Sequence, residues 1–373
     1  MDGLETPRWI LGVTPDPDRQ SLSGTAVALG GHGWDLVAQD WRHIRQPLDL
    51  NLQPAPSTAG SPGHHRPLAG SPSPDQIAQV TQAVVQLAHS LLGRLASQRD
   101  AAVAVTLHDV GHWHDEPILG RSYHSWCDPF QLAAQTGLNV IDQLPAADLA
   151  AGGTGGPVEL VGLWALLRQP STTRGQTVRA LIDIAPRQVD IWLLAGHAPR
   201  RAPTLAHITL RPDSTNPAEW NVAPVWAPAC DTPLALPAPA EAATRPAAPL
   251  AQRIIRVLQS ELPVRIPVRE VLLAPSPDTQ AWAELLGSCD DQLEINPLTD
   301  YGWADRGALQ AAAIALTGAL SVDRVAANPS DLLGWGLPRI LGQFTPGSGA
   351  KWLQLLSHMA VPYQPVVQLR QAV

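Results

Sequence analysis

The sequence is poor in cysteine and in charge, and it has no long apolar or basic run; each absence excludes a class of protein. Cys127, Cys230 and Cys289 are scattered and odd in number, which favours reduced thiols over a disulfide framework. No run rich in Lys and Arg is present and the net charge is −8, so we predict no nucleic-acid partner. No apolar run approaches the ~20 residues of a membrane helix, and residues 1–13 lack a signal-peptide pattern. We therefore expect a cytoplasmic protein with no membrane partner.

The length and the apolar content of the chain predict two lobes. Hydrophobic residues make up 45% of the 373 residues and charged residues only 16%, a globular composition in a chain too long for most single cores. Residues 51–74 and 224–249 are rich in Pro together with Ala, Gly or Ser. Such a composition breaks both helices and strands, so it predicts loops.

Strand-like runs and helical patterns occur in the same order in both halves of the chain. In the first half they are strands at 9–13, 25–29 and 34–38, a helix at 75–97, a strand at 101–107, a helix from 128 and a strand at 139–142. In the second half they are strands at 179–184, 189–194 and 206–210, a helix at 251–258, a strand at 268–274, helices at 278–286 and 308–320, and between them a strand at 293–295. This plan predicts an α/β, actin-like ATPase or sugar kinase (ribonuclease H-like) fold, with two similar lobes and a central cleft. An unrelated two-domain α/β protein is the alternative.

Asp128, Pro129 and Gly137 predict the two ends of one helix. Asp is a good N-cap and Pro is favoured at the first helical position. Gly is common just after a helix because it adopts a left-handed backbone without strain.

Three histidines, His108, His112 and His114, lie within seven residues. Imidazoles at such short spacing are common in zinc sites, and a metal-dependent hydrolase built on them is one interpretation. Histidines in a surface loop after a strand are another. No cysteine cluster or second His/Asp group completes a site, so we predict no metal ligand.

Residues 125–157 resemble the anhydro-N-acetylmuramic acid kinases. In register with the family pattern are Asp128, Pro129, Thr136, Gly137, Asp148, Ala150, Ala151, Gly152, Gly153, Gly155 and Pro157. His108, Trp113 and His114 match the spacing of the family's H-G-Q-T-x-W-H run, with Pro117 one position late. Residues 299–316 resemble the family's Gly-Trp run and Ala-rich helix, and residues 341–356 resemble the tails of cyanobacterial members.

The resemblance implies an actin-like sugar kinase that uses ATP and Mg²⁺. Such enzymes open 1,6-anhydro-N-acetylmuramic acid and phosphorylate its 6-oxygen in peptidoglycan recycling, and the family's tendency to dimerise implies a possible homodimer. The implied site residues are Asp142 and Asp148 for catalysis, His108, Trp113, His114, Gly152 and Gly153 for the amino sugar, and Gly12, Ser23, Gly24 and Asp183 for the nucleotide. The implied lobes are residues 1–140, joined by C-terminal helices at about 320–373, and residues 141–319.

The chain departs from the family at the positions that hold the nucleotide and the base. The phosphate loop reads GVTPDPDRQSLSG from Gly12 to Gly24, with two prolines that remove N–H donors and with Ser23 in place of an Asp. The second phosphate turn reads DIAP from Asp183. Gln143 holds the position of the catalytic Asp, and Asp142 is its neighbour. A catalytically inactive homologue that binds a sugar or a protein is therefore the alternative function.

Overall fold

In the residues that the structure describes, the protein is a mixed α/β protein with two six-stranded sheets and one two-stranded sheet, and the predicted α/β class is confirmed. The computed structural model describes residues 8–15, 21–30, 37–48, 72–108, 111–116, 120–146, 158–167, 178–185, 188–194, 205–212, 219–223, 247–261, 268–303, 305–325 and 343–345. The chain divides into two compact units, Met1–Leu166 with Gln310–Leu332 and Pro338–Val373, and Leu167–Leu309 with Leu333–Leu337.

Most elements of the first unit come from the first half of the chain. They are β1 (Arg8–Pro15), β2 (Ser21–Gly30), β3 (Val37–Pro47), α1 (Pro74–Leu95), β4 (Ala102–Leu107), β5 (His112–Glu116), β6 (Gly120–His124), α2 (Pro129–Thr136), β7 (Asn139–Asp142) and α3 (Leu160–Leu167). The second half begins with β8 (Val178–Ala185), β9 (Gln188–Leu194), β10 (Leu205–Pro212), β11 (Trp220–Ala223), α4 (Ala248–Arg256) and β12 (Val268–Leu273). It continues with α5 (Thr279–Cys289), β13 (Glu294–Pro297), α6 (Arg306–Val325) and β14 (Gln343–Thr345).

Five strands of each sheet follow the same order, and the sixth, β14 or β11, lies at opposite ends of the two sheets. The first runs β14-β7-β4-β1-β2-β3 and the second runs β11-β10-β9-β8-β12-β13. In each, three consecutive strands pair antiparallel, and the first of the three pairs in parallel with the strand that follows a helix. A further parallel strand, β7 or β13, lies next. The carboxyl ends of the parallel strands therefore share one edge in each sheet.

Two glycines bring helices close to the first sheet. A Cβ on Gly12 would overlap the backbone oxygen of Ala311 in α6 and come within 2.6 Å of the Ala315 nitrogen. Gly24 lies directly across from Val13, the next residue of β1. A Cβ on Gly24 would come within 2.9 Å of the Leu87 side chain in α1. Because successive residues of a strand face opposite sides, the two glycines admit one helix on each face.

The predicted helix ends are confirmed at α2. The Asp128 carboxylate accepts hydrogen bonds from the backbone N–H groups of Phe130 and Gln131, at 2.9 and 3.2 Å. Gly137 ends the helix with a left-handed φ of 71°. Helix α1 has a capping box in which Ser73 and Gln76 each accept a hydrogen bond from the other's backbone N–H. It ends at Leu95, two residues before the predicted end, and a 3-10 turn, Ala96–Ala101, leads into β4.

Strand β3 differs most from its prediction. The predicted run was 34–38, of which 34–36 lie outside the described residues. The strand extends to Pro47 and ends its sheet. Its exposed residues include Arg42 and Arg45. Charged side chains on an edge strand discourage its pairing with another chain, but they also hide the apolar pattern by which a strand is predicted.

Parts of the predicted loops and C-terminal helices lie outside the described residues. Helices α1 and α4 begin at Pro74 and Ala248, at the ends of the two predicted loops. Of residues 320–373, the described parts are the end of α6 and strand β14. Among the described helices, none combines the length and hydropathy needed to cross a membrane.

Candidate functional site

The carboxyl edge of the first sheet brings two of the predicted site residues onto neighbouring strands. His108 follows directly after β4, and its backbone N–H donates to the Val13 oxygen of β1 at 2.9 Å. Asp142 is the last residue of β7, which pairs in parallel with β4. A sugar-side residue and a candidate base thus lie at the same edge of one sheet.

Asp142 is enclosed by the sheet on both sides. It pairs with Gln343 of β14 in an antiparallel ladder, while β4 lies on its other side. Only 1% of its surface is exposed. In this conformation bulk solvent does not reach the carboxylate, so proton transfer from a water would require that water to be brought in with a ligand.

Gln143, the residue after Asp142, has a left-handed backbone with φ of 56°. For a residue with a Cβ this conformation costs about 1–2 kcal/mol. The chain turns sharply here, so Asp142 ends the strand and Gln143 leaves it. The one-residue offset between Asp142 and the position that the family resemblance assigns to the base therefore coincides with a strained turn.

His108 stacks on Tyr123 of β6. The two ring centroids are 6.4 Å apart and the planes are inclined by 20°. The Nδ1 atom of His108 is buried and, within the described part of the chain, has no hydrogen-bond partner. A buried nitrogen without a partner costs free energy, so the position suits a polar ligand group that completes the bond.

Trp113 and His114 lie on strand β5, which forms a two-stranded hairpin with β6. Trp113 is directly opposite Tyr123, and His114 is directly opposite Ser122. The side chains of Trp113 and His114 lie outside the described part of the structure, as do all atoms of Asp148, Gly152 and Gly153. The roles of these five residues stay predictions.

The first-sheet residues predicted for the nucleotide lie inside paired strands. Gly12 pairs with Thr25 and Thr106, and Ser23 pairs with Thr14 and Arg45. Close helix packing requires Gly12 and Gly24 without any ligand. Residues 16–20, which join β1 to β2, lie outside the described residues.

Asp183, the second-sheet residue predicted for the nucleotide, is held in an ion pair. Its Oδ2 lies 2.5 Å from Nε of Arg306, the first residue of α6, and its side chain is 5% exposed. Directly across the ladder, on β9, is Asp190, which is also buried. The Asp190 carboxylate accepts hydrogen bonds from Thr209 Oγ1 at 2.8 Å and Gln188 Nε2 at 2.6 Å. Two buried carboxylates thus face the same side of the second sheet, each with its own partners.

Sequence reasoning missed Tyr123, Asp190 and Arg306. Asp190 carried one usable signal, since it is the charged residue of an apolar strand run, VDIWLL, and buried charges require partners. Tyr123 and Arg306 carried no such signal because their partners are distant in sequence.

The described residues do not by themselves form a cradle for a nucleotide or a metal. Asp183 is engaged by Arg306, and the spaces beside Gly12 and Gly24 are filled by helices. Among the side chains that the structure describes, no group of three His, Cys, Asp or Glu residues is arranged to hold a metal ion.

No protein-family model matches the chain. No curated protein shows a significant match to it either.

Proposed function

We propose that this chain is an anhydro-N-acetylmuramic acid kinase-like protein that binds an amino sugar at the carboxyl edge of its first sheet. The observation that carries the proposal is His108, a stacked imidazole with a buried Nδ1 that, among the described residues, lacks a hydrogen-bond partner. Sugars offer hydroxyl groups for such a nitrogen and apolar ring faces for aromatic side chains. The repeated strand order of the two sheets supports the actin-like fold that the sequence resemblance implies.

The reaction proposed for this site is ATP-dependent opening of the 1,6-anhydro bond with phosphorylation of the 6-oxygen. Asp142 is the candidate base because it ends the strand next to His108. A positioned base contributes roughly 10²–10⁴ in rate. ATP and Mg²⁺ are implied by the family resemblance alone, since the described residues on the nucleotide side do not by themselves form a phosphate site.

A homologue that binds the sugar without phosphoryl transfer is the second candidate. It is favoured by the ion pair of Asp183 with Arg306 and by the helix packing against Gly12 and Gly24. Under this alternative His108 keeps its role, and Asp142 is a buried structural carboxylate.

Calorimetric titration of the full chain with the anhydro sugar, with and without Mg-ATP, separates these functions. The matched variants are His108→Phe, which keeps an aromatic ring and removes the nitrogen, and His89→Ala on the exposed surface of α1. We expect His108→Phe to weaken sugar binding by about tenfold, equivalent to one hydrogen bond, and His89→Ala to leave it unchanged.

Turnover decides between the two candidates. Asp142→Asn should retain sugar binding and lose at least about 10²-fold in rate if the kinase proposal holds. Sugar binding without ATP-dependent product supports the second candidate. If the wild-type chain binds no anhydro sugar, both candidates are wrong.

A further inference from the structure

His108 is held at two points, one on its backbone and one on its ring. Its backbone N–H donates to the Val13 oxygen of β1 at 2.9 Å. Its imidazole stacks on the ring of Tyr123, with the centroids 6.4 Å apart and the planes inclined by 20°. Aromatic rings prefer such offset stacks at centroid distances of about 4.5–7 Å. The stack therefore fixes the plane of the His108 ring.

Tyr123 is itself enclosed by the protein. The residue is buried, and it lies on β6, which pairs with β5. Gly111 approaches the hydroxyl end of the tyrosine so closely that a Cβ on Gly111 would overlap the Tyr123 oxygen. A larger residue at position 111 would push the tyrosine ring aside. The glycine after His108 thus lets Tyr123 occupy the place from which it contacts the imidazole.

The two ring nitrogens of His108 have different surroundings. The residue as a whole is half-buried, yet its Nδ1 is fully buried and, within the described part of the chain, lacks a hydrogen-bond partner. In a neutral imidazole one nitrogen carries the proton and donates, and the other accepts. Buried N–H groups without an acceptor are rarer in proteins than buried acceptors without a donor. The proton therefore belongs on Nε2, and Nδ1 is left as an acceptor.

We propose that His108 accepts a hydrogen bond at Nδ1 from a donor group of the ligand, and that Tyr123 is the positioning residue that orients this nitrogen. This assignment rests on the amino-sugar function proposed above and specifies which group of the sugar His108 recognises, a hydroxyl or the amide N–H. Phosphate and carboxylate oxygens are acceptors themselves, so an acceptor nitrogen does not bind them. Because Nδ1 lies in the plane of a stacked ring, the donor reaches it along the edge of the ring.

Nitrogen-15 NMR of the full chain with labelled histidines tests the tautomer, because ring shifts distinguish a protonated nitrogen from an unprotonated one. At a pH where the ring is neutral, we expect an unprotonated Nδ1 at His108, and a change in its shift when 1,6-anhydro-N-acetylmuramic acid is added. The spectrum of His108→Phe assigns the resonance among the 12 histidines. His124 is the internal control, since it follows Tyr123 on β6, is exposed and lies with its Nε2 3.1 Å from Ser122 Oγ. Its resonances should not respond to the sugar.

Two substitutions of Tyr123 separate positioning from packing. Tyr123→Phe keeps the stacked ring, so it should keep both the His108 resonances and the sugar affinity of the wild type. Tyr123→Leu keeps an apolar side chain and removes the stack. We expect it to give a mixture of the two tautomers at His108, unchanged resonances at His124, and sugar binding weaker by roughly twofold to tenfold. Melting temperatures check folding, and Tyr123→Met takes the place of Tyr123→Leu if that variant does not fold.

A protonated Nδ1 in the ligand-free wild type, or unchanged His108 resonances in Tyr123→Leu, overturns the proposal. An equal loss of affinity in Tyr123→Phe and Tyr123→Leu also overturns it, since stacking is then not what orients His108. A wild-type chain that binds no anhydro sugar contradicts the proposed function instead. The tautomer and its dependence on Tyr123 are measured without ligand, so they still decide whether Tyr123 positions His108.

Discussion

Five strands of each sheet follow the same order, but the two sheets are stabilised in different ways. In the first, Gly12 and Gly24 let helices approach the strands on both faces. In the second, partly buried ion pairs join residues of different elements: Asp183 with Arg306, and Arg179 with Glu270 at 2.6 Å. The apolar core there includes Ile182 and Trp282.

One topology is therefore compatible with two packing solutions. Close backbone contact depends on the absence of a side chain, so an added methyl group is the change that damages it. A buried ion pair depends on both partners, so removal of one partner is the change that damages it. The two units should respond to different substitutions, and hydrogen exchange can report each unit separately.

Gly12→Ala should have the largest effect. The new Cβ would overlap the Ala311 backbone oxygen, and backbone cannot move aside as a side chain can. We expect the free energy of unfolding of the first unit to fall by about 3 kcal/mol or more. Faster amide exchange in β1 and β4, with β8 and β12 unchanged, is the diagnostic measurement.

Gly24→Ala is the matched control, because the atoms nearest to its Cβ would be side-chain atoms of Leu87 and Leu91, at 2.9 Å, and not backbone. Its cost should be about 1–2 kcal/mol. If Gly24→Ala proves as damaging as Gly12→Ala, backbone contact is not what distinguishes the first sheet.

Arg306→Ala should have the next largest effect, and in the other unit. It leaves Asp183 buried without its cation, for which about 3 kcal/mol is expected. Urea denaturation measures the loss, and amide exchange should rise in β8 and β9.

The double variant Asp183→Asn with Arg306→Met tests whether the lost stability comes from the isolated charge. Removing both charges should recover most of the stability lost in Arg306→Ala, because the cost comes from the isolated carboxylate. A double variant as unstable as Arg306→Ala would show that side-chain packing, and not charge pairing, stabilises this part of the second sheet.

Of these predicted effects on stability, those of Asp128→Ala in the first unit and Asp278→Ala in the second should be the smallest. Asp128 accepts two backbone hydrogen bonds at the start of α2, and its loss should lower the melting temperature by the equivalent of about 1 kcal/mol. At the start of α5, in the part of the chain that the structure describes, the Asp278 side chain makes no capping hydrogen bond. Asp278→Ala should therefore be close to neutral, and an equal loss in both variants would contradict this view of the caps.

Much of the fold could be predicted because the buried strands are apolar along their length. The runs WILGV, TAVAL and RALIDI fall inside β1, β2 and β8, since hydrophobic residues must be buried and strands offer them two covered faces. Strand β3 was missed over most of its length because it ends the sheet and carries Arg42 and Arg45. Strand β14 pairs with β7 through three residues, too few for a pattern.

Less of the candidate site could be predicted, because its contacts join segments far apart in sequence. The motif placed His108 in register and Asp142 one residue before the position of the base, and both lie at one sheet edge. The ion pair of Asp183 with Arg306 joins residues more than a hundred positions apart. The hairpin that brings His124 opposite His112 depends on strand register, which spacing alone does not fix.

The left-handed backbone at Gln143 also affects which substitutions this position accepts. Asp and Asn adopt that backbone several times more readily than most residues with a side chain. A change of Gln143 to Asp would thus put a second carboxylate beside Asp142 and ease the turn at the same time. At this position the backbone already has a shape that Asp adopts more readily than Gln, so a single substitution separates the present chain from a variant with paired acids.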